Sequence, residues 1–169
     1  DFVTERLENG QKVRLLVVID EFTRECLVLD AAKSFKGDEV LEVLRYLFAV
    51  RGCPVYIRSD NGPEFISRGI KEWLSAIGVE TLYVEPGSPW QNGVCESFNS
   101  KLRDEYLHQT DIVSETDALL KARLWKDDFN EERPHSSLGY LNPYLFHNQT
   151  FHKPWYRKLG HSSGVRCGN

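Results

Sequence analysis

The run VRLLVVI, residues 13–19, is the feature that most narrows the folds open to this chain. Its nearly continuous apolar, β-branched composition predicts a strand that is covered on both faces. Asn9-Gly10, the strongest short signal for a β-hairpin, precedes the run and joins it to a strand that starts near Asp1. CLVLDAA follows from Cys26 as a third strand. We therefore expect three strands in hairpin order with residues 13–19 in the centre.

Helical and strand patterns alternate along the next part of the chain. Residues 36–52, KGDEVLEVLRYLFAVRG, place their apolar side chains on one helical face and end at a glycine. PVYIRS predicts a buried parallel strand, EFISRGIKEWLSAIG a second helix, and VETLYV a short strand. Further helices are predicted over residues 94–108 and 114–130, the latter with a Ser114–Asp117 capping box. After Pro134 we expect irregular, aromatic-rich chain.

This order predicts a mixed α/β fold with one five-stranded sheet flanked by helices. Residues 1–146 are expected to form one domain, and residues 147–169 a poorly ordered tail. The 41% hydrophobic and 27% charged composition is typical of a soluble globular protein, and no apolar run is long enough to span a membrane. The four cysteines and five histidines lack the spacing of a zinc site. We expect a cytoplasmic protein and, since methionine is absent, a piece of a longer reading frame.

The charge distribution is more informative than the net charge of −4. Residues 61–120 carry 4 basic and 10 acidic side chains, whereas residues 121–169 carry 8 and 4. An acidic centre beside a basic flank suits a metal-dependent enzyme acting on a polyanion, because bound metals reverse the local sign. It suits a solvated acidic surface equally well.

Two acidic residues have both an ordinary and a functional interpretation. Asp60, in SDNGPEF, follows a predicted strand, and it either shapes the turn or is presented by it. Glu96 shares one helical face with Asn99, Ser100 and Arg103, away from the apolar stripe. It is either an ordinary solvent-facing glutamate or part of a site.

The spacing of these two residues carries a resemblance to a known family. Asp60 and Glu96 are separated by 35 residues, within SDNGPEF and PWQNGVCESFNSKLRDE. This pattern resembles the D,D-35-E catalytic core of retroviral integrases and bacterial insertion-sequence transposases. VVIDEFTRECL and NEERPHSSLGYLNP resemble the transposase group. The resemblance implies a ribonuclease-H-like fold and a DNA transposase core that cleaves element ends and transfers strands by transesterification.

The resemblance also implies which residues form the site. Asp1 would be the first catalytic carboxylate, in preference to Asp20, which we interpret as structural. Asp1, Asp60 and Glu96 would then be both catalytic residues and ligands of two Mg²⁺ ions, with Asp60 bridging the pair. Such hard cations bind a few carboxylate oxygens and the substrate phosphate, and Mn²⁺ should substitute for Mg²⁺.

The implied partner is DNA, both element ends and target. The candidate DNA-binding residues are Trp90, Gln91, Asn92, Asn99, Ser100, Lys101, Arg103, Arg133 and His135. Trp90 either stacks on an unpaired base or packs against the sheet, and Lys101 is either a DNA contact or a solvated lysine. RPHSSLGY, with Arg133 and His135, is interpreted as a structural clamp of the last helix that also offers DNA contacts.

The family further implies a homo-oligomer when active, no membrane partner, and an upstream helical DNA-binding region. Two other functions stay open at this point. One is a non-catalytic DNA-binding or assembly module derived from a decayed transposase. The other is a ribonuclease-H-like nuclease without strand transfer.

Overall fold

The computed structural model describes residues 1–7, 10–85, 87–108 and 111–151 of the chain. In chain order the elements are β1 (Phe2–Arg6), β2 (Lys12–Ile19), β3 (Cys26–Ala32), α1 (Gly37–Arg51), β4 (Tyr56–Ser59), α2 (Arg68–Ala76), β5 (Glu80–Tyr83), a 3₁₀ turn (Pro89–Asn92), α3 (Gly93–Leu102), a π-helical turn (Arg103–Leu107), α4 (Glu115–Glu131), a second 3₁₀ turn (Ser136–Leu138) and α5 (Pro143–Phe151). They form two compact units. Unit 1 comprises residues 1–34 and 93–150, and unit 2 is built mainly from residues 35–92.

Unit 1 contains an antiparallel sheet in the order β1-β2-β3, with β2 central as predicted. The hairpin between β1 and β2 is also confirmed: Leu7 N donates to Gln11 O at 2.8 Å, and Gly10 has a φ of 80°, which glycine adopts without strain. The predicted turn residue Asn9 lies outside the described residues.

Helices α3 and α4 close one core with the sheet of unit 1. Phe98 of α3 packs edge-on against Trp125 and Phe129 of α4, with ring centroids 5.4 and 4.9 Å apart. The Asn130 side chain bonds both backbone groups of Cys26, accepting from its nitrogen at 2.8 Å and donating to its oxygen at 2.9 Å. α4 is therefore fixed to β3 by a polar contact as well as by apolar packing.

Unit 2 pairs β4 with β5 in a parallel ladder, from Tyr56 opposite Glu80 to Ser59 opposite Tyr83. Helix α1 begins where Lys36 N donates to Glu39 Oε2 at 2.6 Å, and it ends at Gly52, whose φ is 90°. Phe48 of α1 stacks on Trp73 of α2 with ring centroids 5.2 Å apart. The parallel pairing of β4 is confirmed, but its predicted burial is wrong, because only Ser59 of the four residues is buried.

The mixed α/β class is confirmed, whereas two details of the prediction are wrong. The five predicted strands are all present, with a ladder of three strands in unit 1 and a ladder of two strands in unit 2. Helix α2 begins at Arg68, several residues after the predicted start, and α5 occupies part of the segment expected to be irregular. Local patterns identify strands and helices, but ladder partners and helix starts depend on tertiary hydrogen bonds. Residues 152–169, most of the predicted tail, lie outside the described residues.

Among the described residues, no helix combines the length and the apolar character needed to cross a bilayer.

Candidate active site

Asp1 is held by backbone and side-chain bonds in unit 1. Its backbone extends the β1–β2 ladder, donating to Val17 O and accepting from Val17 N, both at 2.9 Å. Its carboxylate accepts from Phe2 N at 2.7 Å through Oδ1 and from Asn99 Nδ2 at 2.8 Å through Oδ2. The side chain therefore has a fixed orientation beside helix α3.

Helix α3 carries Glu96 in its first turn, where a carboxylate interacts favourably with the helix dipole. Phe98 and Leu102 anchor the helix in the core of unit 1, with 3% and 0% exposure. Glu96 itself is exposed, one helical turn from Asn99. The Asn99–Asp1 bond therefore joins the Glu96 helix to the residue directly before β1.

Asp20 has a structural position, as predicted. Its Oδ1 accepts from the backbone nitrogens of Phe22 and Thr23, both at 2.8 Å, which closes the turn between β2 and β3. Asp1, and not Asp20, is hydrogen-bonded to α3 in the described part of unit 1.

Asp60 lies in unit 2, directly after β4, and is exposed. Its Oδ1 accepts from Gly62 N at 3.0 Å. Asn61 Nδ2 donates to Val84 O at 3.0 Å, which ties the Asp60 turn to the residues after β5. The turn therefore both shapes the backbone and presents the carboxylate, so the two interpretations of Asp60 are compatible.

Two of the three predicted carboxylates, Asp1 and Glu96, belong to unit 1, and Asp60 belongs to unit 2. Across the part of the chain that the structure describes, no three His, Cys, Asp or Glu side chains form a group positioned to hold a metal ion. The joint metal site of Asp1, Asp60 and Glu96 therefore stays a prediction.

The segment after β5 forms a closed loop in unit 2 that exposes an aromatic ring. Gln91 Oε1 accepts from Glu85 N at 3.0 Å, and Gln91 N donates to Ser88 O at 3.0 Å. The Trp90 side chain is 75% exposed, so it is not packed against the sheet. Asn92, at the end of the 3₁₀ turn, is partly exposed. This exposure disagrees with packing against the sheet, while stacking of Trp90 on a base stays a prediction.

The polar residues of α3 and the following turn divide into two groups. Ser100, Lys101 and Arg103 are exposed, as residues that contact a DNA backbone must be. Asn99 differs from the prediction, because it is 6% exposed and donates to Asp1. Its position three residues after Glu96 placed it on the polar face, but the sequence did not show that this edge of the helix meets Asp1.

Arg133 and His135 are engaged within unit 1. Arg133 forms ion pairs with Asp128, at 2.6 Å, and with Glu105, and its guanidinium lies 5.0 Å from the Trp125 ring centroid. His135 is 8% exposed and pairs with Leu141 in an isolated β-bridge. These contacts agree with the clamp interpretation of RPHSSLGY, while contact of either residue with DNA stays a prediction.

Burial and surrounding charge set the ionisation of His135. Burial lowers its pKa from 6.5 to about 4, and the positive charges of Lys101, Arg133 and Arg24 act in the same direction. The imidazole is therefore neutral at pH 7 and presents no positive charge to a phosphate.

Two segments of the chain, residues 1–89 and residues 77–143, each match a protein family described as integrase core domain. The chain is 40% identical over 146 residues to an uncharacterized 31.7 kDa protein of insertion element IS407 from Burkholderia multivorans. That match covers 86% of this chain and 53% of the relative, so the chain spans about half of its length. An uncharacterized protein of insertion element IS136 from Agrobacterium fabrum is 30% identical over 146 residues, covering 82% and 75%.

Named transposases and solved integrases also match. Transposase InsD of insertion element IS2D from Escherichia coli is 27% identical over 146 residues, covering 80% of this chain and 48% of that protein. The HTLV-2 integrase catalytic core domain in complex with magnesium superposes with a TM-score of 0.65 at 19% identity, covering 87% and 92%. The BIV integrase catalytic core domain gives 0.67 at 18% identity, covering 91% and 95%. These likenesses confirm the predicted ribonuclease-H-like fold.

Proposed function

This chain belongs to the integrase core domain family that includes insertion-element proteins, and we propose that it is the catalytic core of a DNA transposase. The observation that carries the proposal is the hydrogen bond between Asn99 and Asp1, 98 residues apart in sequence. It brings together, within unit 1, the strand and the helix that supply two of the three expected carboxylates.

The proposed reaction has two phosphoryl-transfer steps. In the first, a water oxygen bonds to the phosphorus at the element end, and the bond to the 3′ oxygen breaks to leave a 3′-hydroxyl. In the second, that hydroxyl attacks a phosphodiester of another strand, and the displaced 3′ oxygen of that strand leaves with a proton. Each step replaces one P–O bond by another, so no energy cofactor is required.

The side chains fit the divalent ions that this chemistry needs. Asp1 and Glu96 offer hard carboxylate oxygens from neighbouring elements of unit 1, and Asp60 offers a third from unit 2. When bound, two Mg²⁺ ions would activate the nucleophile and stabilise the leaving oxygen. The protein's own part is to hold Asp1 through Asn99 and to hold the Asp60 turn through Gly62 and Asn61.

The exposed polar residues support a DNA partner. Ser100, Lys101 and Arg103 follow Glu96 along one exposed stretch of unit 1, where they would bind phosphates of the element end. In unit 2, the exposed Trp90 would stack on an unpaired base, with Gln91 and Asn92 beside it. Because the net charge is −4, bound metals would reverse the local sign at the carboxylates that face the DNA backbone.

We also propose that the active form is a homo-oligomer. The HTLV-2 integrase core occurs in structures described as trimeric and dimeric forms. Light scattering on the DNA-bound protein should therefore give a mass of at least two chains.

Product analysis with end-labelled element DNA tests the function. A complete protein containing this core, with Mg²⁺, should first release a strand ending in a 3′-hydroxyl and then join that strand to target DNA. Cleavage without any joined product would support the nuclease alternative instead. DNA binding without cleavage in Mg²⁺ or Mn²⁺ would support the non-catalytic module and contradict the proposal.

A further inference from the structure

The Asn99 amide has a defined orientation. The residue is 6% exposed, and its Nδ2 donates to Asp1 Oδ2 at 2.8 Å. An ionised carboxylate only accepts hydrogen bonds, so the amide nitrogen, and not the oxygen, must face Asp1. The Asn99 oxygen is therefore turned to the other side of the amide.

The side-chain oxygen of Asn99, Oδ1, is the second feature that matters. Asn99 Oδ1 is buried, and no residue that the structure describes donates a hydrogen bond to it. Buried acceptors are nearly always paired, either with protein or with an ordered water. Because Nδ2 of the same amide holds a carboxylate, Oδ1 is left to accept from a donor that the described residues do not supply, such as a water.

The chemistry of the neighbourhood limits what this donor is. Glu96 lies one helical turn before Asn99, and Asp1 is in direct contact, so an anion would be repelled. Mg²⁺ bound by a few carboxylates keeps several waters, and each such water is a hydrogen-bond donor. Residues that bond to the ligands or waters of a metal orient the site and tune its affinity.

We propose that Asn99 is a positioning residue of the metal site, fixing the Asp1 carboxylate through Nδ2 and accepting a hydrogen bond from a metal-bound water through Oδ1. The inference rests on the proposed function, since it assumes that Asp1 and Glu96 bind the ion. It assigns Asn99 to the metal site rather than to the DNA backbone.

Metal binding measured without catalysis tests the inference. Mn²⁺ binding to the 169-residue chain would be followed by electron paramagnetic resonance of the free ion. Asn99→Leu keeps the side-chain shape but removes both hydrogen bonds, and it should weaken Mn²⁺ binding by about 10- to 100-fold. Asn130→Leu is the matched control: the Asn130 amide also bonds at both ends, but only to Cys26, so its loss should lower stability and leave Mn²⁺ affinity unchanged.

Glu96→Gln distinguishes failure of the positioning role of Asn99 from failure of the proposed function. If Glu96→Gln weakens Mn²⁺ binding and Asn99→Leu does not, the positioning role is wrong and the proposed function stands. If the wild-type chain binds no Mn²⁺ even with an element-end DNA, the proposed function itself fails.

A wild-type measurement covers the case in which Asn99→Leu does not fold. The Asn99 side-chain amide signal in a ¹⁵N-labelled chain should shift when Mg²⁺ is added, while that of Asn130 should not. An Asn99 signal that stays in place at saturating Mg²⁺ would overturn the inference.

Discussion

At the scale of single residues, the orientation of Asp60 depends on the space left by Gly62. A β-carbon added at Gly62 would lie 2.9 Å from Asp60 Oδ1 and 3.3 Å from Glu64 Oε2. The same glycine donates its backbone N–H to Asp60 Oδ1 at 3.0 Å. A side chain at position 62 therefore cannot be added without moving the carboxylate that we assign to the metals.

Gly62→Ala should consequently reduce DNA-end cleavage by about 100-fold, since small misplacements of catalytic groups have effects of this size. The free energy of unfolding should change much less than the activity, because Asp60 is exposed. Cleavage rates and urea denaturation check the two expectations.

Gly93→Ala is the matched control. A β-carbon at Gly93, the first residue of α3, would meet no atom within 4 Å. This variant should retain cleavage and be at least as stable as the wild type. Full cleavage by Gly62→Ala would show that the position of Asp60 is not critical.

At the scale of elements, the clamp formed by residues 133–140 fixes the end of α4 in unit 1. His135 lies within this segment, edge-on to Phe129 of α4 with ring centroids 4.8 Å apart. Its backbone nitrogen donates to Leu141 O at 3.0 Å. The clamp therefore depends on a buried neutral imidazole.

This burial predicts a pH dependence of stability. The pKa of His135 is about 4 in the folded chain and 6.5 ordinarily, so below pH 6.5 the unfolded chain binds a proton that the folded chain does not. The contribution to the free energy of unfolding is complete above pH 6.5 and is lost as the pH falls to 4, by at most about 3 kcal/mol.

Urea denaturation of the wild type and of His135→Leu between pH 7 and pH 4 measures this contribution. The variant should lose less stability over the range, because it lacks the titrating group. Equal losses in the two proteins would show that His135 does not titrate as its burial requires.

The elements also show what the sequence could and could not predict. The hairpin at Gly10 and the central position of β2 followed from local turn chemistry and apolar patterning. The burial of Asn99 could not be predicted in this way. The sequence showed which helical face carries Asn99, but not that Asp1 meets that face. The parallel character of β4 was predicted, whereas its partner, β5, was not, because ladder partners depend on hydrogen bonds that no local pattern encodes.

At the scale of the whole molecule, the proposed site draws its three carboxylates from distant parts of the chain. The assignment of Asp1 and Asp60 depended on the family resemblance, and that of Glu96 on its 35-residue separation from Asp60. Structural support exists for Asp1 and the helix of Glu96 within unit 1, and for the fixed turn of Asp60 within unit 2. The central claim is that the three carboxylates act together.

Strand transfer by carboxylate variants is the most direct test of that claim. Asp1→Asn, Asp60→Asn and Glu96→Gln, each in a complete protein and supplied with a pre-cleaved element end, Mg²⁺ and target DNA, should bind the DNA but form no joined product. Asp20→Asn should still join the strands, because Asp20 serves the turn between β2 and β3. Wild-type levels of joining by Asp60→Asn or Glu96→Gln, or loss of joining by Asp20→Asn with Asp1→Asn unaffected, would contradict the account.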